Sequence, residues 1–325
     1  MTNKKTLLSG IKPTGRPHIG NYFGALKQWV DLQEEYNSLI FIPDYHALTS
    51  VQDKKDMEAF TLDLAIDLLA IGLDPKKVTL FKQSDVPEVT ELTWIFNCLT
   101  TMPYLMRAHA FKDSEAKNKD ISVGVFDYPI LMAADILIQD AHIVPVGSDQ
   151  KQHVEYARDI AEKFNRIFGD TFTLPESYIL DNVAVVPGID GQKMSKSYNN
   201  HIPLFAADET IKSLVAKIVT DSKTPTDVKD PAGDNIFALH KLFSSETELS
   251  ELESRYKNGS IGYKESKDIL SQNIINFITP LREKRQEIAK NPDHVKDILK
   301  IGGEKARKEA SAKMVIVKEK IGFLF

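Results

Sequence analysis

The first half of the chain alternates short apolar runs with longer amphipathic stretches. The short runs are rich in branched and aromatic residues, which favour strands, and the longer stretches repeat apolar residues at the spacing of a helix. Parallel strands need crossover connections, and these are usually helices. The alternation therefore predicts a parallel sheet whose two faces are covered by helices.

These patterns place the elements and predict an α/β fold with a Rossmann-like, doubly wound parallel sheet. In such sheets ligands bind at the carboxyl ends of the strands, near the point where the strand order reverses. We therefore expect functional residues in the strand-to-helix loops. The predicted strands are residues 5–9, 39–43, 77–82 and 142–146, and the predicted helices are residues 21–36, 55–71, 88–101, 127–139 and 149–168.

The rest of the chain has a different pattern. From about Phe205 onward the strand signals vanish, and the sequence is helical apart from the turn-rich residues 222–234. A length of 325 residues is also long for one core, since cores tend to split near ~250–300 residues. We predict a catalytic domain over residues 1–203 and a smaller, mainly α-helical C-terminal domain over residues 204–325. In one arrangement its last helix packs back on the first domain.

The composition is that of an ordinary globular protein, with 42% apolar and 27% charged residues. There is no charged and apolar leader, and the longest apolar runs are far shorter than the ~20 residues that span a bilayer. We therefore expect a cytoplasmic protein without a membrane segment. A single cysteine, Cys98, excludes a disulfide framework and any cysteine-built zinc or iron–sulfur site.

The net charge of −5 argues against a general nucleic-acid binder, which usually carries a basic excess. It leaves open an RNA enzyme whose basic residues are clustered. The last third contains two basic runs, for which a solvated helix face is the ordinary explanation. The runs contain Arg282, Lys284 and Arg285, and then Lys300, Lys305, Arg307 and Lys308.

The loop after the first predicted strand, residues 9–21, suits a nucleotide phosphate. Gly20 lets the backbone approach a ligand without a Cβ in the way. Gly20 and Asn21 open a predicted helix, whose N–H groups and positive dipole end attract phosphate. His18 adds a hydrogen-bond donor. Lys12 lies in the same loop and can reach a phosphate, although a solvated loop lysine is an equally good interpretation.

A second loop, residues 188–197 (GIDGQKMSKS), has the composition of a mobile phosphate-binding segment. Lys193 and Lys196 lie three residues apart, with the hydroxyl of Ser195 between them and two glycines before them. Taken alone, such a segment is better explained as an exposed basic turn.

Together, the two loops resemble the signatures of class I aminoacyl-tRNA synthetases. The Lys-Met-Ser-Lys-Ser string matches the family pattern letter for letter. The His-Ile-Gly-Asn string departs from it only at Asn21, where the family often has a second histidine; asparagine is common there in the tryptophan enzymes. Between the loops, residues 128–137 (YPILMAADIL) and 146–153 (VGSDQKQH) resemble the bacterial tryptophan-specific members. The resemblance covers essentially the whole chain, including residues 302–306 (GGEKA).

This resemblance implies a two-step reaction. Tryptophan is activated with ATP, accompanied by Mg²⁺, to an adenylate and pyrophosphate, and tryptophan is then transferred to tRNA(Trp). It also implies a homodimer, for which the apolar helical residues 88–106 and 127–139 are candidate contacts, and tRNA phosphate contacts from basic residues of the C-terminal region. By resemblance the catalytic residues are Lys193, Ser195, Lys196 and His18, and the ATP site adds Gly20, Asn21, Gly147, Asp149 and Met194. Lys12 is added to the ATP site on its position in the loop alone, since some relatives have a neutral glutamine there.

By the same resemblance, Tyr128, Met132, Gln150 and His46 bind tryptophan. Asp135 is the specificity residue that the chemistry of the substrate predicts most directly. The indole ring offers a single polar group, an N–H that only donates, and a carboxylate on an apolar helix can accept it. A helix-surface aspartate is the alternative. A hydrogen bond to a charged group contributes ~1.5–3 kcal/mol, roughly ten- to a hundredfold in affinity.

Three other interpretations remain open. The tyrosine enzyme has the same fold, but Asp135 and the Gly-Ser-Asp-Gln string at residues 147–150 favour tryptophan. A small-molecule nucleotidylyltransferase shares the His-Ile-Gly region, but needs neither the lysine loop nor a helical C-terminal domain. A catalytically silent paralogue that binds tryptophan or tRNA as a regulator is the third, and the intact motifs argue against it.

Overall fold

The computed structural model describes residues 4–107, 121–147, 151–178 and 186–324. It contains one five-stranded parallel sheet in the order β3-β2-β1-β4-β5. The predicted α/β class with a doubly wound parallel sheet is therefore confirmed. The strands are β1 (Thr6–Gly10), β2 (Asn37–Ile42), β3 (Val78–Lys82), β4 (Ile143–Pro145) and β5 (Glu176–Tyr178).

The strand order reverses at β1. This strand pairs with β2 on one side, in the register Leu8 with Leu39, and with β4 on the other, in the register Leu7 with Ile143. The side chains of Leu7, Leu8 and Ile40 are almost wholly buried, as a sheet covered on both faces requires. The carboxyl ends of β1, β2, β3 and β4 consequently share one edge of the sheet, where a ligand site is expected.

Thirteen α-helices lie within the described residues. They are α1 (Ile19–Asn21), α2 (Lys27–Leu32), α3 (Asp44–Ala47), α4 (Lys54–Ala70), α5 (Glu88–Leu99), α6 (Met102–Leu105), α7 (Val123–Ile138), α8 (Lys151–Phe168), α9 (Asp208–Ala216), α10 (Asn235–Phe243), α11 (Glu246–Lys257), α12 (Tyr263–Ala289) and α13 (Pro292–Lys320). None of the helices in these stretches is long and apolar enough to cross a membrane.

Two elements differ from the sequence prediction. The helix expected over residues 21–36 is broken by a π-helical turn, Tyr22–Leu26, and ends at Leu32. The rings of Tyr22 and Phe23 pack against Phe277 of α12 at centroid distances of 5.3 and 5.7 Å. The strand β5 was not predicted. It is three residues long and none of its side chains is fully buried, so it lacks the apolar run that marks a strand.

The chain forms two compact units. The first comprises residues 1–15, 28–181 and 291–325, and contains the sheet; the second comprises residues 16–27 and 182–290. These units differ from the predicted ranges 1–203 and 204–325, because residues 16–27 and 182–203 belong to the second unit and residues 291–325 to the first. The assignment of tRNA binding to residues 204–325 stays a prediction.

The last helix, α13, packs directly on β3 within the first unit. Two glycines allow this close approach, since a Cβ at Gly302 would lie 1.9 Å from the carbonyl oxygen of Leu80 and one at Gly303 would lie 2.6 Å from Cβ of Asp85. The helix is further held by an ion pair of 2.9 Å between Arg307 and Glu88. Because α13 covers the edge strand β3, it protects a row of backbone groups that would otherwise be open to pairing.

Candidate active site

Asp135 is buried in the first unit beneath the carboxyl ends of β2 and β3. It lies on α7, whose second half is almost entirely apolar and buried, and its own side chain is 4% exposed. The Nε2 atom of His46, which follows β2, lies 3.0 Å from Asp135 Oδ2. The prediction that Asp135 faces an apolar interior, and not the helix surface, agrees with this placement.

Gln83 is a second buried partner of Asp135, and the sequence reasoning missed it. Its Nε2 donates to Asp135 Oδ1 at 2.9 Å and to Oδ2 at 2.8 Å. Its Oε1 accepts the backbone N–H of His46 at 3.3 Å, which fixes the orientation of the amide. Gln83 directly follows β3 in the chain, at the same sheet edge as His46. The only sequence feature that could have pointed to Gln83 as a site residue is its position directly after a buried strand.

The surroundings of Asp135 act on its pKa in opposite directions. Burial is the largest influence and raises the pKa of the carboxyl above its usual value, while the hydrogen bonds from His46 and Gln83 lower it. A buried carboxylate without donors would be expected to take up a proton instead of staying charged. The two donors therefore favour the charged form, which is the stronger acceptor.

The other predicted tryptophan residues are only partly described. Tyr128 lies about two helical turns before Asp135 on α7, and its hydroxyl lies 2.5 Å from Nε2 of the buried His153. The rings of Tyr128 and His46 meet edge to face at 6.1 Å. Met132 is half-buried against the apolar core of this unit. Gln150 falls outside the described residues.

Two predicted nucleotide residues belong to the first unit as well. Gly147 lies just beyond β4, at the strand-order reversal, as the sequence pattern predicts. Lys12 follows β1 at the same edge. Much of its side chain is exposed, but the protein near its ammonium group displaces water from that group and so lowers its pKa. Asp149 falls outside the described residues.

The two signature loops come together in the second unit. Backbone hydrogen bonds join them, from Ile19 N–H to the Ile202 carbonyl at 3.0 Å and from Leu204 N–H to the Pro17 carbonyl at 3.0 Å. Gly20 lies at the contact, because a Cβ there would be 2.9 Å from His18 Nδ1 and 3.2 Å from Cβ of Met194. The glycine is therefore explained by the packing of one signature on the other.

His18 is neutral at physiological pH. Burial, with smaller contributions from the nearby His201 and Lys196, lowers its pKa to about 4. Its Nδ1 accepts the backbone N–H of Asn21 at 3.2 Å, so the single proton of the neutral ring is on Nε2. His18 can therefore donate one hydrogen bond to a phosphate oxygen through Nε2, but it does not bring a positive charge.

The start of α1 offers less to a phosphate than the sequence suggested. His18 caps the helix, and the Asn21 side chain accepts the His18 N–H in return at 3.1 Å. Protein acceptors also take the N–H groups of Ile19, Asn21 and Tyr22. Three of the first four N–H groups of this helix are thus already paired, and the one that lacks an acceptor among the described contacts is that of Gly20.

Asn200 holds the lysine loop together, and the sequence reasoning missed this residue too. Its side chain is 1% exposed, and all of its hydrogen bonds go to the loop. Oδ1 accepts from the Ser195 N–H at 2.7 Å, while Nδ2 donates to the Lys193 carbonyl at 3.2 Å and to Asp190 Oδ1 at 2.8 Å. One side chain consequently fixes the Lys193 carbonyl and the Ser195 N–H, two backbone groups of the segment that carries both lysines.

The side chains of the loop are oriented for contact with solvent or a ligand. Lys193 is exposed, Ser195 and Lys196 are half-buried, and Met194 is buried against the first signature. The Ser195 hydroxyl lies 2.8 Å from that of Ser197. Two cations and a hydroxyl are thus presented by a loop whose backbone is anchored, an arrangement that suits the stabilisation of phosphate charge.

The comparison with known families agrees with this geometry. The model of the family described as tRNA synthetases class I (W and Y) matches residues 1–279. The chain belongs to the class I tRNA synthetases. Its sequence is 49% identical to that of the tryptophan–tRNA ligase of Rhodopirellula baltica, over 94% of this chain and 96% of that protein. It is also 49% identical to the ligase of Fusobacterium nucleatum, over 98% of both chains.

Solved structures of such synthetases have the same architecture. The tryptophanyl-tRNA synthetase of Campylobacter jejuni, solved with ADP and tryptophan, superposes with a TM-score of 0.91 at 48% identity, over 98% of this chain and 99% of that one. The enzyme of Mycoplasma pneumoniae gives a TM-score of 0.84 at 28% identity, over 98% of both chains.

Proposed function

We infer that this class I synthetase is a tryptophan–tRNA ligase. It activates L-tryptophan with ATP to tryptophanyl-adenylate and pyrophosphate, and then transfers tryptophan to tRNA(Trp). The observation that carries this inference is the buried Asp135 carboxylate, held by His46 and Gln83 at the edge of the sheet, in a chain that matches tryptophan–tRNA ligases over nearly its full length. We place the reaction in the cytoplasm, where tRNA is charged for translation.

Asp135 supplies the choice of amino acid. The indole N–H donates to its carboxylate, whereas phenylalanine leaves that buried charge without its substrate partner and tyrosine carries its hydroxyl at a different position. Tyr128, Met132, His46 and Gln150 complete the amino-acid site.

In the activation step, the tryptophan carboxylate attacks the α-phosphorus of ATP and pyrophosphate leaves. The protein aligns the two reactants and stabilises the charge that grows on the phosphate oxygens. Lys193 and Lys196 carry the positive charge for this task, Ser195 donates a hydrogen bond, and the neutral His18 donates through Nε2. Lys12, Gly20, Asn21, Gly147, Asp149 and Met194 complete the nucleotide site.

Mg²⁺ enters with ATP as part of the substrate. Among the described residues no three acidic, histidine or cysteine side chains are grouped to hold a metal ion. Mg²⁺ binds nucleotides mainly through phosphate oxygens and waters, with few protein ligands.

In the transfer step, a ribose hydroxyl at the 3′ end of tRNA(Trp) attacks the adenylate carbonyl and AMP leaves. The mainly helical residues 204–325 are proposed to bind the anticodon region. Two of the basic residues considered for phosphate contacts are occupied within the second unit: Arg282 pairs with Asp208 at 2.7 Å, and Arg285 is 9% exposed with its guanidinium 5.7 Å from the Phe205 ring. The exposed Lys284 is therefore the better candidate for a contact with a tRNA phosphate.

The active form is proposed to be a homodimer formed through α5 and α6. Three large apolar side chains in residues 88–106 are exposed: Trp94 by 70%, Met102 by 66% and Met106 by 47%. Exposed apolar groups of this size are typical of interfaces. The other segment considered, residues 127–139, belongs to α7 and is largely buried in its own unit, so it does not offer such a face.

The test of this function is ATP–pyrophosphate exchange with the purified protein, using tryptophan, tyrosine or phenylalanine, followed by charging of tRNA(Trp). We expect exchange with tryptophan only, and charging afterwards. Exchange driven by tyrosine would identify the tyrosine enzyme instead. Tryptophan binding without exchange would identify a silent paralogue.

A further inference from the structure

Gln83 lies where it can control the state of the specificity carboxylate. It is 1% exposed, and it is the only described residue that contacts both oxygens of Asp135. Its amide cannot be reversed without loss, because a reversed amide would turn its NH₂ group toward the His46 N–H and its oxygen toward the carboxylate. The backbone of His46 therefore fixes Gln83 as a donor to Asp135.

The hydrogen bonds of Asp135 leave a defined place for the substrate. A carboxylate has about four lone-pair sites. His46 Nε2 and Gln83 Nε2 both contact Oδ2, whereas Oδ1 is contacted by Gln83. Among the contacts of the described residues, the remaining site is consequently on Oδ1, the oxygen that His46 does not contact.

We propose that Gln83 is a positioning residue for amino-acid selection, which holds Asp135 as a charged acceptor with one lone pair of Oδ1 turned toward the indole N–H. This inference rests on the proposed function. It assigns Gln83 no contact with the substrate; the residue acts through Asp135. His46 cannot replace it, because His46 contacts only Oδ2.

The surroundings of Asp135 leave few other groups for this role. The titratable groups that act on it are His46, which favours its charged form, and Asp44, which disfavours it; both follow β2. A small cavity beside the carboxyl is lined by apolar side chains of the sheet, of residues 86–89 and of α7, and its other polar lining residues are Gln83 and Gln139. Gln139 donates elsewhere, to the Ala306 carbonyl at 3.2 Å. It therefore offers a matched control, a buried glutamine of the same unit with no bond to Asp135.

The test compares Gln83→Met with Gln139→Met in the full-length protein, by ATP–pyrophosphate exchange. The substrates are tryptophan and benzothienylalanine, in which sulfur replaces the indole N–H. We expect Gln83→Met to lower the preference of the wild type for tryptophan over the sulfur analogue by about tenfold. General damage to the fold would lower both activities together and leave this preference unchanged.

The pH dependence gives a second readout. Without the Gln83 donor, the pKa of Asp135 rises further above its ordinary value, so the carboxyl is protonated more at pH 6.5 than at pH 8.5. The KM for tryptophan in Gln83→Met should therefore be higher at pH 6.5, while the KM for ATP stays as in the wild type. Gln83→Glu should show the opposite trend, because its carboxyl donates to Asp135 only when protonated.

These outcomes test the role of Gln83 separately from the proposed ligase activity. If the wild type does not exchange with tryptophan, the proposed function is wrong. If the wild type is active, and Gln83→Met keeps both its preference for tryptophan and its pH profile, the role of Gln83 is wrong and the function stands. Should Gln83→Met fail to fold, the trend of Gln83→Glu decides: a tryptophan KM that does not fall toward low pH contradicts the proposal.

Discussion

The buried Asn200 gives the sharpest test of how the lysine loop works. In Asn200→Ala the Ser195 N–H, the Lys193 carbonyl and Asp190 Oδ1 each lose their bond to this side chain. A hydrogen bond contributes ~0.5–1.5 kcal/mol, and a buried partner left unsatisfied costs more. Three bonds of ~1 kcal/mol amount to roughly 3 kcal/mol, or about a hundredfold in the population of the ordered loop.

The expected kinetic result is selective for ATP. Because Asn200 contacts the loop that carries Lys193 and Lys196, Asn200→Ala should lower kcat/KM for ATP in pyrophosphate exchange by about a hundredfold at most. Tryptophan binding should stay as in the wild type. Trypsin should also cleave after Lys193 and Lys196 faster, since a disordered loop is the better substrate for a protease.

Asn200→Asp distinguishes the hydrogen bonds from the shape of the residue. The replacement has the same size and keeps an acceptor for the Ser195 N–H, but it puts an oxygen 2.8 Å from the carboxylate of Asp190. Two carboxylates so close raise the pKa of one of them, and the protonated form restores a donor. The defect of Asn200→Asp should therefore shrink between pH 8.5 and pH 6, whereas that of Asn200→Ala should not. Wild-type ATP kinetics in both variants would refute the reasoning.

Three further predictions address other parts of the molecule. Lys12→Gln should raise the KM for ATP or slow activation; unchanged kinetics would dismiss a role for Lys12. Gly302→Ala places a Cβ 1.9 Å from the Leu80 carbonyl oxygen and should lower the melting temperature by roughly 5–10 °C, whereas Gly124→Ala, whose Cβ would have no neighbour nearer than 3.8 Å, should not. Equal melting temperatures would contradict the close packing of α13 on β3. Trp94→Glu should give a monomer in sedimentation, and a variant that sediments as a dimer would place the interface elsewhere.

The sequence alone predicted the sheet because its strands are buried on both faces. Four of the five strands are short apolar runs between helical stretches, and their length and position mark them as buried strands. β5 has no such signal, as its three residues are partly exposed. The break in the first helix could not be predicted either, since its residues pack against Phe277, far away in the sequence, and no local pattern marks that contact.

The sequence points to a site residue where the chemistry of the substrate calls for one particular side chain. Asp135 was predicted because the indole ring has a single donor and the helix around the aspartate is apolar. Gln83 was not, because its role depends on a partner 52 residues away and on the His46 backbone. Asn200 was missed for a related reason: the recognisable motif ends at Ser197, while the residue that anchors it lies beyond.

The neutral state of His18 was left open by the sequence, because a histidine after a strand can be charged or neutral. Its burial and its closeness to His201 and Lys196 are tertiary features, and they lower the pKa of His18 to about 4.

The central claim is that the carboxylate of Asp135 selects the indole ring. A crystal structure with bound tryptophan tests it most directly, with exchange kinetics of Asp135→Ala as its companion. We expect the indole nitrogen within ~2.7–3.2 Å of Oδ1 of Asp135, and a large loss of tryptophan activation in the variant with hardly any change in ATP binding. A structure in which the Asp135 side chain points away from the bound indole, or a variant that still prefers tryptophan as the wild type does, would contradict the claim.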